Sequence, residues 1–162
     1  MPASTDTAGV IAPPPLIALA VILLGFLLDW LFPAYVLAVL LSLRERLLIG
    51  GFLLLAGGGL AFMAVKTLRG AGTDPEPWKP SAHLVTGGIF QYLRNPIYLG
   101  GWLVIAGVAF AFASDWMLVV LVLSLPLEHY GVVLREERYL ERRFGEAYRA
   151  YKTTVPRYGW PF

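Results

Sequence analysis

The stretch 96-PIYLGGWLVIAGVAFAFASDWMLVVLVLSLPLEHYGVVL-134 holds two apolar runs, 96–113 and 116–134, parted only by Ser114 and Asp115. Each run is long enough for a helix that crosses a bilayer, which takes roughly 17–25 residues. A two-residue break leaves no room for anything but a tight antiparallel hairpin. Ser114 or Asp115 is the natural N-cap of its second arm. On the near side, Asn95 and Pro96 read as a helix cap followed by proline at the first helical position.

The rest of the chain fits a membrane protein. Of 162 residues, 57% are hydrophobic and only 15% charged, where a soluble domain carries about 25% charged residues. Mean hydropathy is +0.65. A net charge of +2 gives nucleic-acid binding no electrostatic basis. With no cysteine, and with His83 and His129 far apart in sequence, neither a disulfide nor a metal centre is expected.

Two further apolar runs precede the hairpin. The first covers about 15–32, interrupted by Asp29, and has no basic residue before it and no cleavage motif after it, so it is expected to remain as an anchor. After Pro33, residues 35–43 are too short for a full span and read as a half-buried or interfacial turn of helix. A fifth, short crossing through 34–43 would instead put the N-terminus outside. Arg44, Glu45 and Arg46 mark a water boundary. The next run, 47–65, carries Gly50, Gly51, Gly57, Gly58 and Gly59, which allow close helix approach. The expected architecture is an all-α, polytopic bundle of about four transmembrane helices plus a C-terminal amphipathic helix over 134–152, "LREERYLERRFGEAYRAYK".

Basic residues set the expected orientation. Lys66, Arg69, Lys79 and Arg94 precede the hairpin and seven more Lys or Arg follow it, whereas its tip has none. Both basic regions, and with four crossings both termini, are then expected on the cytoplasmic face. Arg44 and Arg46 fall on the far side in this scheme.

Two polar regions share the cytoplasmic face: the long loop 72–98, of a length that is often functional, and 128-EHYGVVLREERYL-140. Arg94 could snorkel to headgroups, and Tyr92 and Tyr98 could belong to an aromatic belt. Glu136 and Glu137 stand where the last run leaves the membrane. Glu128 lies within it, and an ionisable group inside a span points to function.

The segment 84-LVTGGIFQYLRNPIYLGG-101, followed by 136-EERYLERRFGEAYRAYKTTVPR-157, resembles the isoprenylcysteine carboxyl methyltransferase and phospholipid methyltransferase family. Its pattern is Arg-(His/Asn)-Pro-x-Tyr-x-Gly before a helical hairpin, then Glu-Glu-x-x-Leu and Phe-Gly-x-x-Tyr. The resemblance covers about 70–158. It implies one integral-membrane domain, with 1–69 as N-terminal spans and 70–162 as the cofactor-binding catalytic half. It also implies an S-adenosylmethionine-dependent methyltransferase acting on a lipid or prenylated small-molecule acceptor, isoprenylcysteine-like O-methylation being the family's favoured chemistry.

Carried over by position, the cofactor residues would be His83, Leu84, Val85, Phe90, Asn95, Pro96, Tyr98 and Glu136. The catalytic candidates are Arg94, Glu128 and Glu137, the two glutamates as proton acceptors for an amine. Asn95 stands where prenylcysteine enzymes generally have His, and Val132 where they place a substrate-contacting Arg. The acceptor is expected to enter from lipid between the third and fourth spans. The alternatives are a nicotinamide-dependent sterol or isoprenoid reductase relative, whose members are generally longer, and a non-catalytic lipid-binding protein. Oligomeric state is left open.

Overall fold

The computed structural model describes residues 7–159. Among these residues there is no strand. The helices are α1 (Pro14–Leu31), α2 (Val36–Leu40), α3 (Leu43–Gly70), α4 (Pro96–Phe112), α5 (Asp115–Glu128), α6 (Leu134–Phe144) and α7 (Glu146–Thr154). The chain termini, expected on the cytoplasmic face, lie outside the described residues.

Three helical stretches are long and apolar enough to cross a membrane: Pro14–Leu31, Leu43–Gly70 and Asp115–Phe144; α4 is apolar and slightly shorter. Their outward faces are bare, with Leu55 80% and Leu123 71% exposed, as suits a lipid-facing surface. Two expectations change. The 134–152 tail is two helices, because Gly145 breaks it at a φ of 55°, a backbone state that favours glycine. Residues 44–46 lie inside the first turn of α3, which starts ahead of its apolar run, at Leu43 behind the cap Ser42. The Ser42 Oγ accepts from Glu45 N and Glu45 reaches back to Ser42 N at 2.8 Å, a capping box.

The hairpin forms as its sequence requires. Ser114 caps α5, its Oγ accepting from Met117 N, and it also donates to Asp29. Asp29 thus interrupts the first apolar run in order to meet the hairpin tip. Asp115 accepts from Val36 N at 2.8 Å and Leu37 N at 2.9 Å, so it holds the start of α2. With five residues, α2 reaches only about 7 Å and cannot span.

Helix α3 runs antiparallel along α4, and α1 packs along α5. The α3–α4 seam is made of glycine. Gly50 faces Gly107 and Gly57 faces Gly100, and a Cβ built on Gly57 would lie 2.5 Å from the Gly100 carbonyl oxygen. One core, with Ile17, Val21, Ile105, Ala109, Met117, Leu121, Val132 and Val133, fills the space between α1, α4 and α5. A smaller one gathers Ala64, Phe90, Tyr148, Tyr151 and Val155 at the loop end.

Helices α5 and α6 form one rod through a π-helical turn, His129–Val133. Pro126 precedes it; proline has no N–H to donate and loosens a helix interior.

Because the seam is backbone against backbone, Gly57→Ala should lower thermal stability in detergent by about 1–3 kcal/mol. Gly58→Ala, whose added Cβ meets nothing within 4 Å, should leave the melting temperature unchanged or slightly higher. Equal melting of the two variants would contradict the seam.

Candidate active site

The segment before α4 is fixed by the C-terminal strand of chain after α7. Arg94 N donates to Pro156 O at 2.9 Å and Asn95 N to Arg157 O at 3.2 Å. Asn95 occupies the N-cap position of α4, and Pro96 begins the helix as expected, but the Asn95 side chain makes no cap. It turns instead toward Glu137, its Nδ2 donating to Oε1 at 3.4 Å.

Glu137 gathers three donors. Arg157 binds it in a fork, Nε to Oε1 at 2.9 Å and Nη2 to Oε2 at 2.7 Å. Arg94 Nη2 lies 3.3 Å from Oε1. The side chains of Glu137 and Arg94 are 5% and 7% exposed, so Arg94 does not snorkel to headgroups. A carboxylate withdrawn from water this far is tolerated only with cationic, hydrogen-bonded partners. The Glu137 bond holds the Arg157 guanidinium above its ordinary range.

Two aromatic–carboxylate pairs follow deeper along the same helices. Tyr98 Oη donates to Glu136 Oε2 at 2.5 Å, and Trp102 Nε1 to Glu128 Oε2 at 2.7 Å. Tyr98 and Trp102 are four residues apart, hence on one face of α4. Glu128 is 4% exposed.

Around these groups lies a cavity of about 450 Å³. Its polar wall comes from loop residues 73–78, Ser81, His83, Leu84 and Val85, from Phe90, Arg94, Asn95, Pro96 and Tyr98, and from Glu128 and Glu136. Of the cofactor and catalytic candidates, all but Glu137 line this one cavity, and Glu137 sits behind its wall. The loop is pinned over the cavity by Ser81 N donating to Tyr139 Oη at 3.0 Å, and is closed on itself by His83 N donating to Thr73 Oγ1 at 3.0 Å. His129 stays apart, its Nδ1 3.0 Å from Tyr158 Oη.

Sequence reasoning missed several of the lining groups. Tyr148 and Tyr151, within the stretch expected only to be an amphipathic helix, are both buried and line the cavity. Tyr151 Oη donates to Phe90 O at 2.5 Å. Burial pushes the Tyr148, Tyr151 and Tyr158 phenols well up, so they remain hydroxyl donors at neutral pH. Arg157 counted only as one basic residue among seven. Its position three residues after α7, beside a proline, carried no signal of the fork.

The apolar end of the cavity draws on the N-terminal helices as well. It is lined by Pro14, Pro15, Ala18 and Ile22 of α1, by Ala61, Val65 and Leu68 of α3, and by Gly101, Trp102, Val104 and Ile105 of α4. The apolar wall is thus made by α1, α3 and the third span α4, with Glu128 alone from α5. Residues of the N-terminal spans therefore line the cavity together with those of the 70–162 half.

A family model for phospholipid methyltransferases matches residues 45–147, from the first turn of α3 to the first turn of α7. No curated protein and no solved structure is significantly similar to the chain.

Removing Glu137 as Glu137→Ala leaves Arg94 buried without its counter-charge and should destabilise the fold by about 3–5 kcal/mol. Arg157→Ala leaves Glu137 paired to Arg94 and should be milder. Denaturant or thermal unfolding in detergent checks the order, and the reverse order would contradict the arrangement.

Proposed function

The chain belongs to the phospholipid methyltransferase family, and on that premise we propose that it transfers a methyl group from S-adenosylmethionine to a lipidic or small hydrophobic acceptor. The observation that carries this reading is the single cavity that joins loop 73–85, the start of α4 and Glu136. One end of it is polar and the other is apolar and bounded by membrane helices.

The chemistry of the lining suits the proposed donor. A carboxylate such as Glu136 accepts from ribose hydroxyls or an ammonium. Tyr98 and Phe90 offer aromatic faces to an adenine or a cation. His83, Leu84 and Val85 offer backbone and ring groups to a heterocycle edge, and Asn95 and Pro96 complete the wall. Bound there, S-adenosylmethionine supplies the activated methyl group. What the chain contributes is alignment and exclusion of water, for which loop 72–87, pinned through Ser81 and Tyr139, is the cover.

Roles for the three remaining candidates follow from their contacts. Glu128 faces the cavity and uses one oxygen on Trp102, which leaves the other to take a proton from an amine acceptor. A carboxylate acceptor, as in isoprenylcysteine-like O-methylation, needs no base. Arg94 and Glu137 act as positioning residues, holding the 92–96 segment against α6. Position 132, where prenylcysteine enzymes carry an arginine, is a fully buried valine, so an acceptor carboxylate would have to be recognised elsewhere. The cavity's polar end faces the cytoplasm in this reading, in keeping with the basic residues around it.

Calorimetry on the purified chain in detergent should detect binding of S-adenosylmethionine or S-adenosylhomocysteine. Glu136→Ala should weaken it about 10–100-fold, the loss of a hydrogen bond to a charged group. No binding of either, with binding of a reduced nicotinamide cofactor, would replace the methyltransferase reading by a reductase one. Transfer of labelled methyl into total membrane lipid then identifies the acceptor.

A further inference from the structure

Glu128 and Glu136 are eight residues apart on one helical rod, and both reach the cavity. In a regular α-helix, at about 100° per residue, they would point about 80° apart, and Glu137 would point opposite to Glu128. The π turn at His129–Val133 removes this conflict. Such a turn takes up one extra residue without advancing the helix phase, so Glu136 comes within about 20° of Glu128, and Glu137 within about a quarter turn of it. The site needs that register, because Tyr98 and Trp102 meet the two glutamates from one face of α4.

A π turn is rare and needs support. Here it is gripped by a segment outside the family match. Residues 7–13 lie across the rod just before α1. Ile11 N donates to Gly131 O at 3.1 Å, in the middle of the turn. The Ile11 side chain covers Gly131 so closely that a Cβ there would overlap its Cδ1 and would stand 2.8 Å from Cγ1. Arg135 Nη1 donates to Gly9 O at 2.8 Å, and Ala8 N to Pro77 O of the cavity loop at 3.3 Å. Val10 and Ala12 pack on the core that contains Val132 and Val133.

We propose that residues 8–13 are a positioning strap. Ile11, seated on Gly131, holds the π turn and so sets Glu136 in register with Glu128 for donor binding. Ile11 and Gly131 are positioning residues, acting through Glu136. This rests on the methyltransferase reading for the identity of the ligand, but the strap's hold on the turn does not.

The test uses the full chain, which has no cysteine of its own. Spin labels on cysteines introduced at the exposed positions Leu123 and Arg142, one on each side of the turn, are about 28 Å apart along the rod and report its register. Gly131→Ala should shift the label distance and weaken S-adenosylhomocysteine binding at least tenfold, well below the melting temperature. Adding Ile11→Ala clears the colliding atoms, leaves their space to the methyl added at 131 and keeps the backbone bond from 11 to 131, so it should restore both. Combined with Glu136→Gln, Gly131→Ala should cost little further affinity, since both act on the same contact.

The proposal is overturned if Gly131→Ala leaves the label distance unchanged. It is equally overturned if the variant lowers only thermal stability, with affinity within twofold, or if its effect adds fully to that of Glu136→Gln. Absence of S-adenosylhomocysteine binding in the unmodified chain overturns the methyltransferase reading and the strap's proposed role in donor binding. In that case a rescued label shift leaves only the strap's grip on the turn.

Discussion

A carboxylate buried where a helix meets the membrane edge must be neutralised in place, and the arrangement around Glu137 follows from that demand. Its desolvation would cost several kcal/mol without partners. The partners come from two distant parts of the chain, Arg94 and Asn95 before α4 and Arg157 after α7, and meet Glu137 on α6. Joining them brings the C-terminal segment against residues 94 and 95, where two backbone hydrogen bonds complete the union. With these ends joined, Tyr148 and Tyr151 face inward and the cavity has a wall. The charge cluster is thus a fastening, and the neighbouring Glu136 and Glu128, each bound by one aromatic donor, are the carboxylates of the α5–α6 rod that line the cavity.

Much of this was legible in the residues themselves. Length, apolar runs and the Ser114–Asp115 break specify the hairpin because so short a link admits little else. The three acidic positions and the 83–98 segment were identifiable because polar groups beside lipid need a reason to be there. Other features left no trace. An inserted residue in an apolar rod changes the helix phase without changing its composition, so the π turn is invisible to periodicity around Gly131. Asn95 reads as a cap because the local geometry is that of a cap. Only its distant partner, Glu137, draws the side chain away. Tyr148 and Tyr151 fit an amphipathic stripe whether that stripe meets lipid or a cavity. The participation of α1 depends on which helices are neighbours in space, and no local pattern records that.

The region matched by the family model and the region that forms the site are also not the same. The match runs from 45 to 147, yet α1 lines the cavity's apolar end and Arg157 fastens its polar end. Elements on both flanks of the matched portion therefore shape the cavity, which is where members of one family can differ while keeping a common chemistry.

The glycine seam between α3 and α4 has a mechanical consequence. Side chains between helices can exchange rotamers and let one helix slide along another, but two backbones in direct contact have nothing to rearrange. In a bilayer thicker or thinner than the bundle, this pair will answer by tilting as a single plank. The distance between the Gly57–Gly100 and Gly50–Gly107 crossings then stays constant while the surrounding lipid deforms.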